Sequence, residues 1–207
     1  MIYNITNKSD QEVDDELFRL ESLVDHSNYY NFQHVFSKEE VDKIISENDP
    51  YTFRATTFSG TNDDFRKSNI KWINRFENDL DNTWIFQKIS ELAVIANQNI
   101  YHFLLCGMFE GIQYTVYDGS EDGFYCSHVD HGKNYYKRKL SIVIQLSDPS
   151  EYEGGDLLLH TRNKAFAIPK GLGSCITFPS WMLHEVTPVT SGIRRTLVCW
   201  VSGPPFK

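Results

Sequence analysis

The 207-residue chain carries 28 acidic against 20 basic side chains, a formal net charge of −8, and an excess of that sign disfavours general binding to nucleic acid phosphates, which needs clustered Lys and Arg. The length suits one domain with a substantial core. No apolar run approaches the ~18 residues of a spanning helix and the acidic N-terminus lacks the basic and apolar parts of a secretion signal, so the expected location is cytoplasmic, with no membrane partner.

Near the start, Val13, Leu17, Leu20 and Val24 recur three or four residues apart, as on one face of a helix. Tyr29 to Val35 is aromatic and reads as a short strand. Ser37-Lys-Glu-Glu40 is a capping box, in which a hydroxyl and a carboxylate satisfy free amides at a helix start. That helix is expected to run through Val41, Ile44 and Ile45 and to stop before Pro50. Ser59 to Arg66, small and polar without periodicity, reads as a loop, and Ser68 to Ile73 as a strand. Asn82-Thr83 is placed to cap a second helix, whose stripe of Ile85, Ile89, Leu92, Ala93 and Ala96 is ordinary core packing.

From Phe103 the apolar period changes from 3.6 toward 2. Short strands are expected at 103–109, 111–118, 124–129, 139–147, 155–160, 164–168, 174–178, 183–188 and 194–202, separated by Gly, Pro, Asn and Asp. Many short strands of this kind predict a double-stranded β-helix, or jelly roll, with N-terminal helices buttressing one sheet: a mainly β protein of the α+β type. Residues 1–100 form an N-terminal elaboration on this reading and residues 101–207 the core, in one structural unit. Within 139–147, Leu140, Ile142, Ile144 and Leu146 share one face and Ser141, Val143, Gln145 and Ser147 the other, so one side can pack while the other lines a polar cavity.

Side chains alternate along an extended segment, so His128 and Asp130 point the same way. An imidazole nitrogen and a carboxylate oxygen suit a borderline divalent ion, and a third ligand would complete a triangular face with positions left open. His184 offers that ligand, and Arg194 follows it by ten residues as an anion anchor. His160 and Lys170 repeat the spacing, but a guanidinium clamps a carboxylate in two places where an ammonium does not. Period alone leaves Arg194 and Arg195 as alternatives, because they lie on opposite faces. Cys126 shares the face of His128 if the strand is regular, but a thiolate would favour a softer metal. The four cysteines form no Cys-x-x-Cys pair, which disfavours a zinc knuckle or dithiol site.

The order His128-x-Asp130, His184, Arg194 resembles the Fe(II)- and 2-oxoglutarate-dependent dioxygenases, in their prolyl 4-hydroxylase-like branch with its bacterial and phage members. Tyr117-Asp-Gly, Arg138-Lys-Leu-Ser, Glu153-Gly-Gly-Asp-Leu157, Phe178-Pro-Ser and Gly192-x-Arg194-x-Thr196 extend the likeness over roughly Asn69 to Pro204. The resemblance implies Fe(II) on His128, Asp130 and His184. It implies 2-oxoglutarate on Arg194 with Thr196, Tyr117 and Gln145, Tyr114 remaining a rival to Tyr117 because Asp118 to Gly123 runs about one residue longer than in the family. It assigns Arg195 to the surface or to a cross-strand contact. Tyr125, Arg138 and Trp181 flank the open side as candidate substrate contacts.

The implied reaction hydroxylates a C–H bond, most naturally of a peptidyl proline, converting 2-oxoglutarate and O2 to succinate and CO2, with ascorbate as a supporting reductant. The expected partner is a peptide, a protein or a small molecule. Alternatives are oxidation of an alkylated nucleobase, which the acidic balance disfavours, and a non-catalytic jelly-roll binding module.

Overall fold

The computed structural model describes residues 29–56, 62–77, 80–161 and 164–206. The amphipathic stretch from Val13 to Val24 and the first three residues of the Ser59 to Arg66 segment lie outside them. The first half contains β1 (Tyr30–Phe32), α1 (Lys38–Asn48), β2 (Phe53–Arg54), β3 (Arg66–Lys67), β4 (Asn69–Ile73), β5 (Phe76–Glu77), β6 (Leu80–Asp81) and α2 (Thr83–Ala96). The second half is β7 (Ile112–Asp118), β8 (Phe124–His128), β9 (Arg138–Gln145), β10 (Tyr152–Gly154), β11 (Leu157–His160), β12 (Ala165–Ala167), β13 (Cys175–Pro179), β14 (His184–Val186) and β15 (Val189–Ser202).

The larger sheet has the order β1-β13-β9-β15-β7-β4-β2, with β10 also on β15; the smaller has the order β12-β11-β14-β8-β3. From β7 onward the chain crosses back and forth between the two: β7, β9, β13 and β15 build the larger sheet, and β8, β11, β12 and β14 the smaller. This alternation is the double-stranded β-helix. The N-terminal strands β2 and β4 widen the larger sheet beside β7, and β1 widens it beside β13.

The parity of β9 divides two cores. Leu140, Ile142 and Ile144 are fully buried against the helix side, with Ile85, Ile89 and Ala96 of α2 and Ile44 of α1. Val143 faces between the sheets with Tyr117, Leu157, Phe178 and Val186. Burying one such aliphatic side chain contributes about 1.5–3 kcal/mol, so a one-residue slip of β9, which would exchange both faces, is strongly disfavoured.

The first helix begins as its sequence dictates: Ser37 Oγ accepts from the Glu40 amide at 3.3 Å and Glu40 Oε2 accepts from the Ser37 amide at 2.8 Å. The second does not. Asn82 is the N-cap residue, but its side-chain amide donates to Asn74 O at 2.9 Å, and Asp81 Oδ1 instead accepts from the Thr83 amide at 2.9 Å. The strand expected at 103–109 is also absent. Most of β15 is already bonded by β7 and β9, so this segment finds only its end, making one isolated bridge between Gly107 and Ser202. Arg66, expected in a loop, is buried at the start of β3. No helix among the described residues is long and apolar enough to cross a membrane.

Arg195 is not a loose surface residue. Its Nε donates to Asp49 Oδ1 at 3.0 Å and its Nη2 to Oδ2 at 2.8 Å, while the Tyr114 hydroxyl donates to Oδ1 at 2.8 Å. The last strand is thereby tied to the turn after α1. These Arg195 bonds hold the Asp49 carboxyl below the usual range, against partial burial acting the other way. Between the folded and unfolded pKa values the unfolded chain binds more protons, so the stabilisation is present above the unfolded value and lost as pH falls through the folded one. Arg195→Ala is expected to cost about 1–2 kcal/mol near neutral pH, allowing for partial exposure. Denaturant unfolding should show the gap from the parent closing below about pH 4, and a gap independent of pH would remove Asp49 as its source.

Candidate metal centre and active-site cavity

The strand pairing brings the two histidines together, since His128 at the end of β8 lies opposite His184 at the start of β14. Asp130 follows, held when its amide and that of His131 both donate to Ser180 O at 2.9 Å. One donor atom from each of the three side chains lies within 4.8 Å of the others. His128 Nε2 is 3.7 Å from Asp130 Oδ1, and His184 Nε2 is 3.5 Å from Oδ2. Donors about 2.0–2.2 Å from one ion and about 90–120° apart stand roughly 3.0–3.8 Å from each other, so the spacing fits a shared divalent ion.

Chemistry gives the same answer. His128 Nδ1 lies 2.7 Å from Cys126 O and His184 Nδ1 2.8 Å from Met182 O. A carbonyl can only accept, so both Nδ1 atoms carry a proton, which leaves Nε2 as the atom each ring can offer to a metal. Burial, with His184 alongside, pushes the pKa of His128 down to about 4, which keeps that ring neutral. Both Nε2 atoms face the buried Asp130 carboxylate, a donor set that a divalent cation would satisfy. Ser141 Oγ donates to Asp130 Oδ2 at 2.7 Å and turns the carboxylate toward the imidazoles.

The triad opens into a cavity of about 310 Å³, lined also by Tyr117, Arg194 and Thr196. Arg194 is 3% exposed, and its Nε has no hydrogen-bond partner among the described residues. A buried guanidinium with a free donor calls for an anion. Gly155 makes room for it: with φ at +60°, it adopts a conformation unfavourable to other residues, and a Cβ there would stand 2.9 Å from Arg194 Cδ.

The parity of β7 separates the rival tyrosines. Tyr117 lines the cavity, whereas Tyr114 faces the helix-side core and is bound to Asp49. Gln145 lies in a smaller recess behind Arg194, where its amide donates to the Tyr152 hydroxyl at 2.7 Å and more weakly to Ser147 O at 3.3 Å. Tyr125 stacks on His128 with ring centroids 3.6 Å apart. This requires an irregularity: three residues of β8 span two of β14, so Tyr125 turns inward with His128, and Cys126 instead lies against Asp64 O. Arg138 lines the cavity, paired with the Glu110 carboxylate and held between the Tyr135 and Trp200 rings. Trp181 is 41% exposed, packs on Phe103 and Phe206, and is not part of the lining. His160 pairs with Glu185 and Lys170 with Asp156, so that spacing does not build a second site.

A model of the 2OG-Fe(II) oxygenase superfamily matches residues 112–202. A PKHD-type hydroxylase of Shewanella sp. (strain MR-4) is 31% identical over 176 residues, covering 81% of this chain and 75% of the relative. The chain belongs to the 2OG-Fe(II) oxygenase superfamily. The cofactors that go with membership are Fe(II), 2-oxoglutarate and O2, and the triad and the free guanidinium fit the first two. A second PKHD-type hydroxylase, from Prochlorococcus marinus, is 31% identical over 65% of this oxygenase, which spans 59% of that relative's length. The oxygenase fold is shared with a Trichoplax adhaerens prolyl hydroxylase solved with a hypoxia inducible factor peptide fragment, at TM-score 0.72 and 16% identity over 95% of this chain and 94% of that one.

Sequence reasoning did not assign roles to Ser141, Glu110, Trp200 or Arg66. The first and third stood on inward-facing positions of their strands and were open to notice; Glu110 and Arg66 lay in segments without period. Ser141→Ala is expected to weaken metal binding about 10–100-fold while the fold persists, read by titrating the protein with Fe(II) or Mn(II) under argon. Unchanged affinity would show that the hydroxyl does not orient Asp130.

Proposed function

We propose that this oxygenase hydroxylates a peptidyl proline, with His128, Asp130 and His184 as the Fe(II) ligands and Arg194 as the anchor for the far carboxylate of 2-oxoglutarate. The observation that carries the reading is the opposition, across one cavity, of three converging metal donors and a buried guanidinium with an unused donor. Fe(II) held by His128, Asp130 and His184 would supply the redox chemistry that oxidation of a C–H bond with 2-oxoglutarate and dioxygen requires. The protein's share is positional. Held by two imidazole nitrogens and a single carboxylate, a divalent ion would stay net positive, which favours a dianionic cosubstrate. Tyr117 and Thr196 stand beside Arg194 as hydrogen-bonding partners for the same carboxylate, and Gln145 braces the recess behind it.

A polypeptide substrate is favoured by the peptide-bound prolyl hydroxylase among the neighbours and by a cavity lined with the Tyr125 and Trp200 rings and the Arg138 guanidinium. The reading places the enzyme in the cytosol, because all four cysteines are free thiols, as suits a reducing compartment.

Incubation with Fe(II), 2-oxoglutarate, ascorbate and a panel of prolyl peptides should yield succinate and peptides heavier by one oxygen atom on mass spectrometry. Succinate without any modified peptide would overturn the proline assignment, and no succinate at all the oxygenase reading. Arg194→Ala should raise the KM for 2-oxoglutarate by about 10–100-fold, the loss of a charge-assisted contact, whereas Arg195→Ala should leave it within about twofold. The opposite ranking would reverse the assignment of faces on β15. Asp130→Ala should abolish turnover with the circular dichroism spectrum of the parent retained, and surviving turnover would exclude it as a ligand.

A further inference from the structure

A second arginine in the same cavity has no assigned work. Arg66 leaves the first position of β3 at the edge of the smaller sheet and reaches across to β7 of the larger one. It is 6% exposed. Its partners among the described residues are all neutral: Ser68 Oγ at 2.8 Å, Gln113 Oε1 at 2.9 Å, and the face of Tyr125 at 4.5 Å. It lines the cavity together with the metal triad.

The charges of the cavity can be balanced one by one. The two positive charges of Fe(II) would be met by Asp130 and one carboxylate of 2-oxoglutarate, and that of Arg194 by the other carboxylate. Arg138 is already neutralised by Glu110. The charge of Arg66 is left over. Neutral hydrogen bonds and an aromatic face soften the cost of a buried guanidinium without cancelling it. A strut between two sheets could be built from a neutral side chain; this one places a cation in the wall of the cavity that holds the metal triad.

We propose that Arg66 is a specificity-determining anion anchor that receives a carboxylate of the substrate being oxidised. This rests on the oxygenase reading and narrows its substrate class. Arg66 pairs in register with Tyr125, whose ring covers His128, so the carboxylate belongs near the oxidised carbon. It comes from the side chain of an adjoining acidic residue, from the C-terminus of a peptide, or from a free amino acid.

The test uses the whole protein, loaded with Fe(II) and 2-oxoglutarate under argon, and matched pairs of compounds. The pairs are proline peptides with an adjoining Glu or Gln, proline-terminated peptides with a free or amidated C-terminus, and free L-proline against L-prolinamide. Wild type should bind at least one carboxylate member about tenfold or more tightly than its amide, as for a charge-assisted contact, and the pair that does so identifies the source. Arg66→Gln should bring that ratio close to 1 by weakening the carboxylate member alone, and Arg66→Lys should keep part of it. On admission of oxygen the preference should appear in KM rather than kcat. A wild-type panel in which no carboxylate outbinds its amide overturns the proposal, even if both variants fail to fold. A variant that weakens both members equally assigns Arg66 to structure alone. Failure of the oxygenase reading would look different: no succinate from Fe(II), 2-oxoglutarate and oxygen with any compound.

Discussion

A carboxylate taken out of water beside two imidazoles is the constraint around which the protein is arranged. Asp130 accepts a hydrogen bond from Ser141 and faces the Nε2 atoms of His128 and His184. A divalent cation at the centre of such a cluster would be held by two nitrogens and one oxygen. The carbonyls of Cys126 and Met182 therefore matter as much as the ligands, because they decide which nitrogen of each ring carries the proton. The pairing of β8 with β14 sets the two rings side by side before any ion arrives, with centroids 4.2 Å apart.

The fold makes such a cluster tolerable by keeping polar and apolar work on separate faces. The outer face of the larger sheet packs against both helices and forms a core of Ile, Leu and Val, so the inner face is free to carry Ser141, Thr196 and Arg194. Both jobs fall to β9 and β15, by alternation. The Arg194 and Arg195 neighbours show the division most clearly: one turns its charge into the cavity, and the other turns outward to fasten the turn after α1 through Asp49.

Several parts of the site were legible because they depend only on local geometry and residue chemistry. His128, Asp130 and His184 are a donor set whose types suit one class of metal, and the inward parity of Tyr117, Ser141, Val143 and Thr196 follows from strict alternation. The Ser37 capping box was legible because all its bonds lie within four residues. Where alternation was extrapolated too far it misled. The segment 103–109 has the pattern of a strand and lacks a free edge to join, and the extra residue in β8 breaks the parity that would have set Cys126 beside His128.

The sequence by itself determined which side chains could serve as metal donors, the mainly β class and the two faces of each long strand, since these follow from side-chain chemistry and a period of two. Only the tertiary structure decided which remote groups meet. Glu110 with Arg138, Asp49 with Arg195, and Arg66 with Tyr125 and Gln113 are contacts between segments far apart in the chain, set by sheet order and register. No short window of sequence contains that information. Whether an arginine ends up neutralised or left with an unbalanced charge depends on what the rest of the chain brings to its side.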